Sequence, residues 1–255
     1  MNSPVASPPA LPAGMQLQGR RVLVTGAASG IGQATARVFA QLGADLVLTD
    51  RASLAETLAQ VTELGAKPRC IEGDLTDDAF VDSLVAQGPY YSLAHVAAVF
   101  WPPKDVPEKQ GFDFIMDVNI RVPMRLAHAC IEQMAANGGG RVVLVGSAAG
   151  RHGGISLNGG LEYATYAASK GGLHTLVRWL SRRAVQKNVM VNAVAPGMVL
   201  TPMFATVTLK PDGLPIGRFA QPEELGWPIA FLCSPAASYV SGVVLDVNGG
   251  AFVSA

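Results

Sequence analysis

Seven short runs of aliphatic and β-branched residues, spaced by longer amphipathic stretches, constrain this 255-residue chain more than any other feature. Val22 to Thr25, Asp45 to Thr49, Arg69 to Ile71, Leu93 to Ala97, Arg141 to Val145, Val189 to Val194 and Val243 to Val247 read as strands. Between them, Ile31 to Leu42, Leu54 to Leu64, Ala79 to Ala86, Gly111 to Asn137, Tyr163 to Gln186 and Pro222 to Cys233 read as helices. Gly138, Gly139 and Gly140 stop the fourth of these. A helix between successive strands is a crossover, which makes the strands parallel, and right-handed crossovers cover both faces of the sheet. The expected fold is α/β, a doubly wound three-layer sandwich around a seven-stranded parallel sheet.

Composition narrows the partners. Residues are 49% hydrophobic and only 15% charged, with a formal net charge of zero. Such a balance suits a heavily buried sheet and argues against nucleic acid, which calls for a basic face. No run of about 18 apolar residues is present, so no membrane span is expected. Cys70, Cys130 and Cys233 are odd in number and far apart, which reads as reduced structural thiols in a cytoplasmic protein. His95, His128, His152 and His174 lack metal-ligand spacing, so no metal site is expected. Residues 1–14 carry four prolines and no positive charge, unlike a signal peptide, and read as a disordered extension. Met15 is an alternative start. Residues 15–255 show no composition break and read as one catalytic domain.

The first strand empties into Thr25-Gly26-Ala27-Ala28-Ser29-Gly30-Ile31-Gly32, which opens a helix. Glycines there let the backbone approach a pyrophosphate, and the helix N-terminus supplies free N–H groups to the anion. This is the Rossmann-type position for a dinucleotide. Asp50, at the end of the second strand, is placed to accept the adenosine ribose hydroxyls and to repel a 2′-phosphate. Arg51 beside it would accept that phosphate instead. With no cation at Ser29, NAD is favoured over NADP.

Tyr166 and Lys170 stand at i and i+4 of an expected helix, hence on one face. At about 4 Å and an effective dielectric of about 20, two unit charges interact by roughly 4 kcal/mol. That interaction would lower a tyrosine pKa from about 10 towards 7, into general acid/base range. Tyr163 is a rival, but no lysine follows it at that spacing.

Together, Thr25-Gly-x-x-x-Gly-x-Gly32, Gly73-Asp74-Leu75, Asn119, Ser147, Tyr166-x-x-x-Lys170, Asn192-Ala-Val-Ala-Pro-Gly197 and Val247-Asn-Gly-Gly250 resemble the short-chain dehydrogenase/reductase family. The resemblance runs from about Leu17 to the C-terminus. It implies a hydride transfer between NAD and a secondary alcohol or ketone. Tyr166 would be the acid/base, and Lys170 would lower its pKa and bond the nicotinamide ribose. Ser147 would hold the substrate oxygen, and Asn119 would support a water linking Lys170 to solvent. Gly26, Ser29, Gly30, Ile31, Gly32, Asp50, Arg51, Asp74, Leu75, Ala97, Tyr166, Lys170, Pro196, Gly197, Val199 and Thr201 would line the cofactor site. Relatives of this type are commonly tetramers or dimers, so a homo-oligomer is implied, with Val243 to Val253 as one apolar contact.

Two departures stand out. His95-Val96-Ala97-Ala98 occupies the place of the family's Asn-Asn-Ala-Gly, with His95 replacing one amide's hydrogen bond or packing as a polar residue. Gly150 to Glu162 lengthens the path from Ser147 to Tyr166 into an enlarged loop, expected to cover the site where the proline-rich segment Thr201 to Gly217 replaces a helical lid. Phe100, Trp101, Arg151, His152, Met198 and Met203 are candidates to face a substrate. Two rivals remain: an NADPH-dependent 3-oxoacyl-type reductase, and a dinucleotide sensor without catalysis.

Overall fold

The computed structural model describes residues 12–104, 106–107, 110–154, 161–204, 211 and 214–253. Seven strands form one parallel sheet: β1 Arg21–Thr25, β2 Asp45–Asp50, β3 Arg69–Glu72, β4 Ser92–His95, β5 Gly140–Val145, β6 Val189–Pro196 and β7 Val244–Val247, in the order β3-β2-β1-β4-β5-β6-β7. Continuous aliphatic strands require cover on both faces. α1 Gly30–Gln41 and α8 Glu223–Cys233 pack one face, over Val22, Val24, Leu46, Leu48 and Val143. α3 Asp78–Val85, α5 Val122–Ala136 and α7 Leu161–Ala184 pack the other, over Leu23, Leu93, Val142, Leu144 and Val191. α2 Ala55–Glu63 joins β2 to β3. The chain reverses direction across the sheet between β1 and β4, which opens a crevice at the strands' C-terminal ends.

Four expectations need correction. β4 ends at His95 rather than Ala97, because Val96 and Ala97 donate their N–H groups to Thr25 Oγ1 (3.1 and 3.2 Å) instead of to a ladder. The expected helix from Gly111 to Asn137 is α4 Gly111–Met116, a π turn Asp117–Arg121 and then α5. The enlarged loop begins as a short helix, α6 Ala149–His152, and α7 starts at Leu161. Gly150 permits this: a Cβ there would lie 2.6 Å from the Lys170 carbonyl carbon, so α6 rests directly on the α7 backbone. The rest of that loop, 155–160, lies outside the described residues, as do 205–210 of the proline-rich segment. Of the expected N-terminal extension, residues 1–11 lie outside the described residues too. Ala13–Met15 is a 3₁₀ turn, with the Gly14 backbone close to Ala236.

Candidate active site

The crevice is a cleft of about 880 Å³ that runs from Asp50 and Asp74 at one end to Ser147, Tyr166 and Met203 at the other. Its floor is the glycine turn. Gly26 has φ +67°, and a Cβ there would sit 2.7 Å from Ala97 N, so β1's exit lies hard against the segment after β4. A Cβ on Gly32 would fall 1.9 Å from Gly26 O. Ser29 starts α1 in an extended conformation without a side-chain cap, and no acidic residue occupies the first turn. The first N–H groups of α1 therefore lack a local partner and suit a pyrophosphate. Asp50 Oδ2 accepts from Ala28 N at 3.0 Å and Oδ1 from Ala52 N at 2.9 Å, which holds the carboxylate beside the turn. Thr201 closes over the loop, its Cγ2 3.1 Å from where a Gly30 Cβ would be. Ile31, Arg51, Leu75, Ala97, Pro196, Gly197 and Val199 also line the cleft. These features fit a dinucleotide.

An imidazole, rather than the amide that the family resemblance implies, braces the exits of β1 and β4. Thr25 Oγ1 lies 3.0 Å from His95 Nδ1 in a fully buried setting. Because Oγ1 already accepts two N–H groups, its single proton goes to Nδ1, which leaves the ring's own proton on Nε2. Nε2 has no hydrogen-bond partner among the described residues. Burial, helped by Lys170, holds His95 at about 3, far below its ordinary 6.5. Between those values the unfolded chain binds more protons than the folded one, so stability falls as pH drops through that window. His95→Asn is expected to remove on the order of 3 kcal/mol of acid-induced destabilisation at pH 4 relative to pH 7. Urea unfolding at the two pH values measures it, and equal losses in both proteins would disprove the assignment.

Ser147, Tyr166 and Lys170 line the cleft around the end of β5, whereas Asn119 is fully buried outside its lining. Ser147 Oγ accepts from Ala149 N at 3.1 Å and stands near enough to the Tyr166 phenol to pull its pKa down. His174 of α7 receives the Ser147 N–H at 3.5 Å, a contact no sequence pattern announced. Asn119 Oδ1 accepts from Val99 N (3.0 Å), and its Nδ2 donates to Val99 O (2.9 Å) and Ser169 Oγ (3.0 Å). Its side chain is thus a brace between the β4 exit and α7. The π turn supplies the reach, a common use of such turns at functional sites.

The proton energetics differ from the expectation for Tyr166 and Lys170. Lys170 Nζ donates to Val145 O at 2.9 Å and lies 5.7 Å from the Tyr166 ring centre. Burial pushes the phenol up to about 12, with the Ser147 hydrogen bond pulling the other way and Tyr163 adding to the rise. Burial also pulls Lys170 down to about 7. Both groups have left water, and desolvation is the largest cause of each shift. In the protein alone, the group poised near neutrality is the amine, not the phenol.

Phe114, Val118, Phe219 and Ala251 line the cleft as well and were missed. Phe114 and Val118 were within reach, being i and i+4 on the face that carries Asn119's turn. Phe219 and Ala251 arrive from distant chain and had no local signal.

The family model described as enoyl-(acyl carrier protein) reductase matches residues 26–251. The chain belongs to the short-chain dehydrogenase/reductase family. Like other members, it is an NAD(P)-dependent dehydrogenase/reductase acting on CH–OH groups. Galactitol 2-dehydrogenase (L-tagatose-forming) of Cereibacter sphaeroides is 35% identical over 249 residues, spanning 92% of this chain and 96% of that one. The 7α-hydroxysteroid dehydrogenase of Escherichia coli K12 is 32% identical over 251 residues, spanning 92% and 95%. A solved structure from Beutenbergia cavernae, provisionally described as an NAD(P)-dependent gluconate 5-dehydrogenase with NADP at low occupancy, superposes with a TM-score of 0.83. It is 31% identical, with 93% of this chain and 98% of that chain covered. No helix among the described residues is long and apolar enough to cross a membrane.

Proposed function

We propose that this family member is an NAD-dependent dehydrogenase of a secondary alcohol, or of its ketone in reverse, with Tyr166 as acid/base. The observation that carries this reading is the placing of Ser147 and Tyr166 together in the cleft just past the C-terminal end of β5, with Lys170 buried beside them. A dinucleotide bound in the cleft supplies the hydride acceptor or donor. Tyr166, protonated at neutral pH, is ready to hand its proton to a carbonyl oxygen, and Ser147 Oγ steadies the negative charge that develops there. In the other direction Tyr166 must first lose its proton, which positive charge brought into the cleft favours. Lys170 stabilises that phenolate when protonated, and Asn119 keeps α7 and the β4 exit in register.

The same reading assigns residues 15–255 to one catalytic domain and the cofactor contacts to the glycine turn, Asp50, Arg51, Asp74, Leu75, Ala97, Pro196, Gly197, Val199 and Thr201. NAD is preferred over NADP because the Asp50 carboxylate stands where a 2′-phosphate would approach. Asp50→Ser is expected to weaken NAD binding about tenfold and to strengthen NADP binding, with Arg51 left as the nearby cation. Titrating both dinucleotides into both proteins checks this, and tighter NADP binding by the unaltered chain would reverse the preference. The free thiols of Cys70, Cys130 and Cys233 support a cytoplasmic location. Exposed Phe112, Met124 and Trp179 on α4, α5 and α7 support a homo-oligomer, a tetramer or dimer that light scattering would distinguish from a monomer.

The 3-oxoacyl-type reductase remains the rival, and would show as faster turnover of a 3-oxoacyl thioester with NADPH. A sensor without catalysis would bind NADH and transfer hydride to nothing in a broad panel.

A further inference from the structure

Past Ser147 and Tyr166, the cleft is walled by carbon. Phe100 leans on Tyr166 with ring centres 4.5 Å apart, meets Trp101 edge-on at 4.5 Å and reaches Tyr163 at 5.4 Å. Phe114 and Met198 extend the wall. Phe100 is only 7% exposed whereas Trp101 is 44% exposed, so the wall runs from the reacting hydroxyls out to the mouth.

The cleft's charges lie elsewhere. Asp50, Arg51 and Asp74 follow β2 and β3, on the far side of the switch point. Lys170 is turned to Val145 O. Apart from the tyrosines and Lys170, His152 is the only ionisable side chain at the catalytic end of the cleft among the described residues, and its Nδ1 accepts from Gly154 N at 3.0 Å. A carboxylate or phosphate on the substrate would find no free cation among these residues, and a row of hydroxyls would lose water for carbon.

We propose that the substrate half of the cleft takes an uncharged secondary alcohol or ketone borne on an apolar ring, aromatic or alicyclic, held by Phe100, Trp101 and Tyr163. This rests on the alcohol–ketone reading of the same site and adds the substrate's class. Flat apolar rings match the aromatic wall in shape and gain by leaving water. In the oxidation, the carbinol C–H bond would break with its electron pair passing to oxidised NAD, the O–H proton would pass to Tyr166 once it had given up its own proton to solvent and become the phenolate, and the C=O bond would form.

The test is a panel with the full-length chain and saturating NAD: cyclohexanol and 1-phenylethanol against a hexitol and a hexonate. Binding of cyclohexanone and acetophenone to the chain–NADH complex is measured in parallel by calorimetry. Ring alcohols are expected to exceed the hexitol and hexonate by about 100-fold or more in kcat/KM. Trp101→Ala, at the exposed mouth, is expected to raise KM for the ring alcohols about tenfold with cofactor affinity unchanged. Phe100→Ala should do the same more strongly if it folds. A hexitol or hexonate preferred over the rings would overturn the substrate class and leave the dehydrogenase reading standing. Rings that bind, while nothing in the panel exchanges hydride, would uphold the ring site and overturn the dehydrogenase reading. Rings that neither bind nor react would overturn the proposal.

Discussion

Tyr166→Phe is expected to lower kcat/KM by about 10²- to 10⁴-fold, the range over which a positioned acid/base contributes. The phenylalanine ring can occupy the same space, stacked on Phe100 and beside α6, so the packing of that cluster survives. What disappears is one hydroxyl beside Ser147 in the cleft. Because that hydroxyl lies away from the glycine turn, the cofactor dissociation constant should stay within about threefold of the unaltered chain, well under the roughly 1.4 kcal/mol that a tenfold change represents. Initial rates together with a dinucleotide titration separate the two effects. Retained turnover would remove Tyr166 from the mechanism and reopen Tyr163, which also lines the cleft. Loss of cofactor binding along with turnover would point instead to a collapsed site.

Gly32→Ala should be as damaging, by a different route. Its Cβ would lie 1.9 Å from Gly26 O and 3.2 Å from Ala27 Cα, and both neighbours are backbone. No side chain can swing aside, so the first turn of α1 must move away from β1 or the loop must open. A cost of at least about 3 kcal/mol is expected in urea unfolding, the upper range for overpacking, along with at least about tenfold weaker dinucleotide binding. Gly171→Ala provides the contrast. That glycine lies within α7, and its Cβ would meet Gly150 O at an ordinary 3.4 Å. There, alanine should stabilise by about 0.5–1 kcal/mol through helix propensity. If both substitutions behaved alike, steric pressure at the glycine turn would not explain the first.

Much of this architecture was legible because burial on both faces leaves a simple trace. Val142 to Val145 and Val189 to Val194 are nearly unbroken aliphatic runs, and only a covered parallel strand needs that. The glycine turn was legible for a related reason, since close backbone approach excludes every other residue. The π turn was not. Asp117 to Arg121 has the same apolar spacing as the helices around it, and what distinguishes it is Asn119's reach to Val99 and Ser169, segments distant in the chain. The behaviour of Tyr166 and Lys170 was half legible. Spacing placed them on one helix face, but burial of both groups, which decides where their protons sit, comes from β5 and from Phe100. For His95 the sequence left open whether it replaces an amide's hydrogen bond or packs as a polar residue, and its bond to Thr25 shows that it hydrogen-bonds at the β1 exit.

The Asn119 amide has a mechanical consequence. Its two ends grip Val99 on both the N–H and the C=O, and it also holds Ser169, whose hydroxyl in turn donates to Tyr166 O at 2.7 Å. The chain leaving β4 lines the cleft, and α7 carries Tyr166. One side chain therefore fixes the spacing between the β4 exit and the backbone of Tyr166. Four side-chain hydrogen bonds tie these two walls of the cleft to each other, in addition to whatever the sheet supplies.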